Sequence, residues 1–534
     1  MNKLYLGDCL DVLRNEQEIK PESVDLIYID PPFNSKRNYN VFFDDKDIQT
    51  QRMAFEDTWS LHSVGESLTE LDTIQHDKIL NLLNAYQDIA PQVFPYLVMM
   101  TLRIIELHKV LKPTGSFYLH CDPTASHYLK TVCDAVFGTK NFRNEVSWKR
   151  SGRRSSINRI YRRSHDIVFF YSKTDNYLFN LSYEAKNDTL LKKYTKKDEK
   201  GRYRLVPLMG SGTRNGETGK LWRGFDPNVR GKAGMHWLTV HDNLEKYVEQ
   251  NLVEFPKKST GVPQLKYYLD ENKGVPFPDI WDDINLINSM GKEALGYPTQ
   301  KPKALLERII KASSNEGDIV LDAFCGCGTS IDAAESLNRK WIGIDIAPFA
   351  VSLIKRRLKD TYKDDLSKFE VRGTPTDEPS AIKLWEQNPF AFEDWWLTEL
   401  EVFATTYGKK GADKGIDGIG QYAIPKVDKT IRVGFQVKGG KVQSKDIDAL
   451  FGAISKHKYD MGVLLTRYKP TKPMLNSATQ LGQFEAAYGF KYPKIQIMTL
   501  TEYFTGKQLS LPKDNITFKS ASTIGKTGKQ KGLF

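Results

Sequence analysis

Only five of the 534 residues are cysteine, an odd and sparse set that excludes a disulfide framework as the source of stability. A reducing, cytoplasmic compartment is the matching expectation. No apolar run approaches the ~18 residues of a membrane helix, and the opening MNKLYLGDCLDVLRN lacks the apolar core of a signal peptide. Membrane spanning and secretion are therefore not expected. The phosphate-loop pattern is missing too: Gly219-Lys220 runs into Leu221, and Lys526-Thr527 has no suitably spaced glycine upstream. Apolar residues, by contrast, make up 40%, with 27 Phe, 25 Tyr and 9 Trp, enough to build packed cores. Lys and Arg outnumber Asp and Glu by 77 to 66, a net charge of +11 that suits a polyanionic partner. The length is several times the ~150 residues of one domain, so two or more cores are expected.

Residues 1–145 read as α/β, with a strand at Val24–Ile29, a helical pattern through Val98–Leu111 and a strand at Ser116–His120. Asp25-Leu-Ile-Tyr-Ile-Asp30 is almost continuously apolar, as in a parallel strand covered on both faces. The texture then changes to Gly, Lys, Arg and aromatics, which marks an insert over 146–290. A second α/β stretch, 291–372, has a helical pattern at Pro302–Ser313 and strands at Ile319–Phe324 and Trp341–Ile346. Gly373-Thr-Pro-Thr-Asp-Glu-Pro-Ser380 reads as part of a linker over 373–384. A further unit is expected over 385–506, followed by a flexible basic tail over 507–534.

Val320-Leu-Asp-Ala-Phe-Cys-Gly-Cys-Gly-Thr329 is a strand running into a glycine turn that opens a helix. Small residues there let backbone amides approach a ligand at the sheet's carboxyl edge. Asp345 ends the next strand, 19 residues after Gly326, a spacing that suits hydrogen bonds from ribose hydroxyls. Thr329-Ser-Ile331 follows in place of a third glycine, which disfavours a pyrophosphate cradle. A nucleoside cofactor without phosphates, such as S-adenosyl-L-methionine, fits better. Cys325 and Cys327 have no second Cys or His pair nearby and read as loop fillers, not zinc ligands.

Asp30-Pro31-Pro32-Phe33 follows the buried strand directly. Two prolines stiffen this loop and remove its N–H groups, leaving an acceptor-rich tip. Taken alone, the four residues also suit an ordinary strand-ending turn. A functional reading accounts for all four: the Asp30 carboxylate and Pro31 carbonyl accept from an exocyclic amino group, and Phe33 stacks on its base. Such an amine is a poor nucleophile because its lone pair is delocalised. Fixed acceptors favour a more tetrahedral nitrogen and stabilise the positive charge that develops on it.

Asp30–Phe33, then Tyr297-Pro-Thr-Gln-Lys-Pro302, then Phe324-Cys-Gly-Cys-Gly-Thr329 resemble, in type and order, the permuted β-class of S-adenosylmethionine-dependent DNA amino-methyltransferases. The resemblance covers about residues 1–370. It implies a Rossmann-like α/β methyltransferase with an inserted target-recognition region. Asp30, Pro31, Pro32 and Phe33 would be catalytic; Asp8, Thr299, Lys301, Phe324, Gly326, Gly328, Thr329 and Asp345 would surround the cofactor. Cytosine-N4 relatives usually carry Ser at the position of Asp30, so adenine N6 is favoured and cytosine N4 is the alternative. Ala323 departs from the family's usual Pro. Cytosine-C5 chemistry is disfavoured because no cysteine here follows a proline.

From Arg143 to Lys173 there are nine Lys or Arg and two acids. Arg150, Arg153, Arg154, Arg162 and Arg163, interleaved with Trp148, Tyr161 and His165, suit phosphate contact, although a solvated basic face has the same composition. Gly210–Gly216 with Trp222, Phe225 and Trp237 is expected to supply target recognition. Towards the C-terminus, Gly-Ile-Asp417, Gln436-Val-Lys438-Gly-Gly and Asp460–Thr466 resemble Mrr-like endonuclease domains of the PD-(D/E)xK fold, a restriction-endonuclease-like α/β architecture. That resemblance implies Mg²⁺ held by Asp417 and Gln436, Lys438 near the attacking water, and Glu399 or Glu401 compensating for the neutral Gln436. The alternative is a domain that binds DNA without cutting it. The expected partners are double-stranded DNA and, as an option left open, a second copy in a homodimer.

Overall fold

The computed structural model describes residues 1–32, 61–73, 77–150, 161, 163–184, 186, 188–229, 234–257, 261–271, 273–288, 293–295, 300–404, 415–423, 430–512 and 514–515. Its centre is a sheet of nine described strands: β1 (Asn2–Leu6), β2 (Val24–Ile29), β3 (Leu111–Cys121), β4 (Phe142–Lys149), β5 (His165–Ser172), β6 (Ile280–Trp281), β7 (Ile319–Asp322), β8 (Lys340–Asp345) and β9 (Phe369–Arg372). The order is β6-β4-β5-β3-β2-β7-β8-β1-β9. Every neighbouring pair is parallel except those of β5, which runs antiparallel to β3 and β4.

Alternation along each strand feeds two cores, as a sheet covered on both faces requires. Ile27 and Ile29 enter one core with the helices Cys9–Arg14, Phe94–Val110 and Ser126–Phe137; Leu26 and Tyr28 enter the other with Lys303–Ser313, Thr329–Ser336 and Pro348–Tyr362. Complete burial of Leu26, Ile27 and Ile29 contributes on the order of 1.5–3 kcal/mol each. The registers Ile29–Leu119, Leu321–Ile27, Asp322–Gly343 and Leu6–Asp345 bring the ends of five parallel strands to one edge. β2 and β7 are neighbours there, so the Asp30 loop and the glycine loop leave the sheet side by side. Such switch points are where open α/β sheets bind ligands.

Residues 181–278 form a second compact unit. It is smaller than the insert expected over 146–290, because β4 and β5 are strands of the main sheet. Within this unit Gln264–Tyr268 pairs with Gly201–Pro207, and Leu208, Met209, Trp222, Trp237, Leu244 and Val253 form its core. Trp222 and Trp237, expected in target recognition, are buried core residues.

Residues 378–387, partly inside the expected linker, form a helix started by a capping box between Asp377 and Ser380. Next comes a sheet of β10 (Phe403–Ala404), β11 (Gly418–Ala423), β12 (Thr430–Lys438), β13 (Met461–Thr466) and β14 (Ile495–Thr499) in that order. The helix Pro389–Glu399 packs on one face; Ser444–Lys456 and Lys472–Gln480 pack on the other. Asp514–Asn515, expected in the flexible tail, pairs with β11. No helix among the described residues is long and apolar enough to cross a membrane.

Candidate functional site

Asp30 is the first residue beyond β2, followed by the buried Pro31 and half-buried Pro32. Its Oδ2 is ion-paired to Lys301 Nζ, and the two side chains retain only 17% and 9% exposure. The loop preceding the helix Lys303–Ser313 thus reaches the acceptor tip directly, across 271 residues of sequence. Phe33 and Thr299 lie outside the described residues, as do Arg153, Arg154 and Arg162.

The glycine loop sits beside this tip. Gly326 and Gly328 have φ of +49° and +72°, the left-handed region. A Cβ on Gly328 would also lie 2.6 Å from the Ile354 side chain. Asp345 accepts from Gly326 N–H at 2.7 Å and Ala347 N–H at 2.9 Å. It is half-buried by area, yet enough protein surrounds its carboxyl group to raise its pKa to about 6, against the pull of those two donors. Phe324 is half-buried on the same loop. The Thr329 hydroxyl accepts from Arg357 Nη1 at 3.2 Å, and Arg357 also donates to the Cys327 carbonyl and Asp332. Asp8 caps the helix Cys9–Arg14 through Leu10 N–H and pairs with Arg103, while the neighbouring Gly7 N–H donates to the Asp345 carbonyl. All five cysteines are buried and free. Among the described residues there is no group of three or more His, Cys, Asp or Glu that could hold a metal.

Sequence reasoning missed Asp322. It ends β7 in the interior, accepting from Phe324 N–H at 3.0 Å and from the Ser330 hydroxyl. Burial raises its pKa to about 7, with the charges of Asp30 and Asp345 adding to the rise. An acid at a strand's carboxyl end just before a glycine turn was the available signal. Asp322 and Asp345 take hydrogen bonds from neutral donors, so this edge suits a ligand carrying positive charge and hydroxyl groups. Arg103 and Arg357 were missed as well, because each lies within a helical pattern and its partner is distant in sequence.

Arg150 directly follows β4 and Arg163 lies two residues before β5. Arg150 Nε is 3.0 Å from Asp166, and Arg163 donates to the Thr124 hydroxyl at 2.9 Å. Tyr161 is fully exposed, whereas Trp148 is buried and donates to the Ile284 carbonyl, so it is not available to stack on a base.

At the C-terminal sheet, Asp417 and Gln436 face each other one residue beyond the Gly418–Phe435 pair. One oxygen of the buried Asp417 accepts from Val437 N–H at 2.7 Å, and the buried Gln436 Oε1 has no hydrogen-bond partner. Glu399 is tied to Lys355 at 3.1 Å and Tyr503 at 3.2 Å, and Glu401 lies 3.9 Å from Arg356. A site with one carboxylate, itself engaged by backbone, and a neutral amide gives the expected Mg²⁺ no support. Lys438 is half-buried; beyond it, the Trp385 indole covers Gly439, where a Cβ would come 1.8 Å from Nε1, and the Arg467 guanidinium lies 4.1 Å above the Trp385 ring.

A mostly parallel sheet with a glycine turn, an acid on the following strand and an Asp-Pro-Pro loop beside them defines a Rossmann-like methyltransferase fold. Residues 24–356 match the N6/N4 family described as DNA methylase, and the chain belongs to that family. Residues 391–503 match the family described as NACHT-associated inactive Restriction Endonuclease 1, in place of the expected Mrr-like family and in line with the non-cutting alternative. Similar proteins include the Type II methyltransferase M.EcaI of Enterobacter cloacae, 32% identical over 51% of this chain and 59% of that protein. The Type III restriction-modification enzyme StyLTI Mod subunit of Salmonella typhimurium is 30% identical over 64% of this chain and 50% of the relative. The DNA adenine methyltransferase YhdJ of Escherichia coli is 23% identical over 68% and 87% respectively. The chain thus spans only 50–59% of the length of the first two.

Proposed function

We propose that this chain methylates adenine N6 in double-stranded DNA, using S-adenosyl-L-methionine, within a restriction-modification or defence system. The observation that carries the reading is the placement of Asp30, at the end of β2, beside the glycine loop and its two inward acids. Bound at that loop, the cofactor would supply an electrophilic methyl group on a sulfonium. Asp345 would accept from ribose hydroxyls, Gly326 and Gly328 would let backbone approach the ligand, and Asp322, when ionised, would favour the cofactor's positive charge.

Asp30 and the Pro31 carbonyl would take the two N–H groups of a flipped-out adenine, and the carboxylate would stabilise the positive charge developing on nitrogen. Lys301 holds one oxygen of Asp30 and so orients the acceptor. Arg150, Arg163 and the basic residues between them would grip phosphates. Asp30 and the likeness to a DNA adenine methyltransferase favour adenine over cytosine N4. The C-terminal domain is proposed to engage DNA or a partner without cutting it, since Asp417, Gln436 and Lys438 do not assemble a metal site. Methyl transfer to unmethylated duplex DNA, followed by identification of the modified nucleoside, tests the reading: N6-methyladenine supports it, and N4-methylcytosine replaces it with the alternative.

A further inference from the structure

One row of polar side chains crosses the aliphatic and aromatic face of the sheet that contains Leu26, Tyr28 and Val168. The Tyr28 hydroxyl is 2.9 Å from His120 Nδ1, His120 Nε2 is 3.2 Å from Asp166 Oδ2, and Asp166 Oδ1 is 3.0 Å from Arg150 Nε. Tyr28, His120 and Asp166 are 2%, 0% and 1% exposed, while the Arg150 side chain is 30% exposed. The row therefore starts at a basic residue open to solvent and ends two residues before Asp30. One tautomer serves both contacts of His120, with Nε2–H donating to Asp166 and Nδ1 accepting the Tyr28 O–H, while Asp166 Oδ1 meets Arg150 as an ion pair.

Burying a carboxylate and an imidazole among apolar side chains is costly unless each is paired. A reason for such a device lies in the loop that follows. The register of β2 with β3 ends at Ile29–Leu119, and the next residues of the loop, Pro31 and Pro32, have no N–H with which to extend the ladder. Backbone hydrogen bonding thus fades where Asp30 must be held to within a fraction of an ångström, and a side-chain anchor just before it can take over.

Resting on the methyltransferase reading, we infer that Tyr28, His120 and Asp166 are positioning residues that fix the end of β2 for transfer at Asp30, with Arg150 as their solvent-facing terminus. An approaching DNA phosphate would share Arg150 with Asp166, so backbone contact and acceptor geometry are linked through one buried row. All three are buried and would act through Asp30.

The test uses the full chain and compares wild type with Tyr28→Phe, which keeps the ring and removes only the hydroxyl, Asp166→Asn, and the double variant. Methyl transfer is measured alongside SAM dissociation constant and melting temperature. Tyr28→Phe should lower kcat about tenfold, with KM for DNA and SAM affinity changed less than about twofold. The double variant should be no slower than the slower single variant, because both break one row. Unchanged kcat in Tyr28→Phe, or losses that multiply in the double variant, would overturn the inference while leaving the methyltransferase reading intact. A wild-type protein that methylates no duplex DNA would overturn that reading, and this inference with it.

Discussion

Asp30 and Asp345 divide the chemistry at the residue scale. Asp30→Ala should reduce methyl transfer by about 10²–10³-fold, because the acceptor facing the developing positive charge is gone. SAM affinity should change far less in that variant, which calorimetry can separate from turnover. Asp345 behaves differently, because burial raises its carboxyl to about 6. Above that pH it is charged and, in the proposed role, would accept ribose hydroxyls fully; as pH falls through about 6 it gains a proton and one acceptor site disappears. SAM affinity should therefore weaken from pH 7 to 5, with Asp322 contributing to the upper part of that range and Asp345 to the lower, and Asp345→Asn should bind weakly and lose the lower part of the profile. A steep loss around pH 6 retained in Asp345→Asn would remove Asp345 from the assignment and leave Asp322 as the titrating group. These acids were unevenly legible in the sequence. Asp30 and Asp345 stand out because motif and spacing mark them, whereas Asp322 reads as part of an apolar strand. The pairs Asp30–Lys301 and Asp8–Arg103 join residues 271 and 95 positions apart, which no local pattern encodes.

Elements differ in how openly their sequence declares them. Val24–Ile29, Ile319–Asp322 and Lys303–Ser313 fall within a residue or two of expectation, since continuous apolar runs and a helical stripe are local signals. The strand His165–Ser172 was hidden inside the basic insert, although HDIVFFYS is nearly all buried. Its role depends on pairing with β3, a long-range choice. The helix Glu378–Gln387 was hidden by its own start signals: prolines and turn formers read as a linker, yet Asp377 and Ser380 cap a helix. Two consequences belong to elements. Gly328→Ala should destabilise the glycine loop by roughly 1–3 kcal/mol, combining an unfavourable positive φ with crowding against Ile354, and should weaken SAM binding in step. On the helix Pro389–Glu399, burial raises Asp394 to about 8, with Glu393 adding to the rise. The folded state keeps that proton while an unfolded carboxyl, near 3.8, has released it, so stability should fall as pH rises from about 4 to 8, by at most about 1.4 kcal/mol per unit. Chemical denaturation of wild type and Asp394→Asn across this range checks the slope, which the variant should flatten.

For the whole molecule, a family-level methyltransferase is joined to a restriction-endonuclease-like domain whose acids are engaged elsewhere. The helix Pro348–Tyr362 is the joint: Arg357 holds the glycine loop, while Lys355 pairs with Glu399 of the C-terminal domain. Salt dependence should reveal the basic hairpin, since Arg150→Ala with Arg163→Ala should flatten the slope of log K against log salt by ~0.9 for each DNA phosphate that is no longer neutralised. The central claim is tested most directly by one measurement. Full-length protein is incubated with methyl-labelled SAM and unmethylated duplex DNA, and the DNA is digested to nucleosides. The account predicts label in N6-methyladenine, abolished by Asp30→Ala. Label in another nucleoside, or none in any, would contradict it.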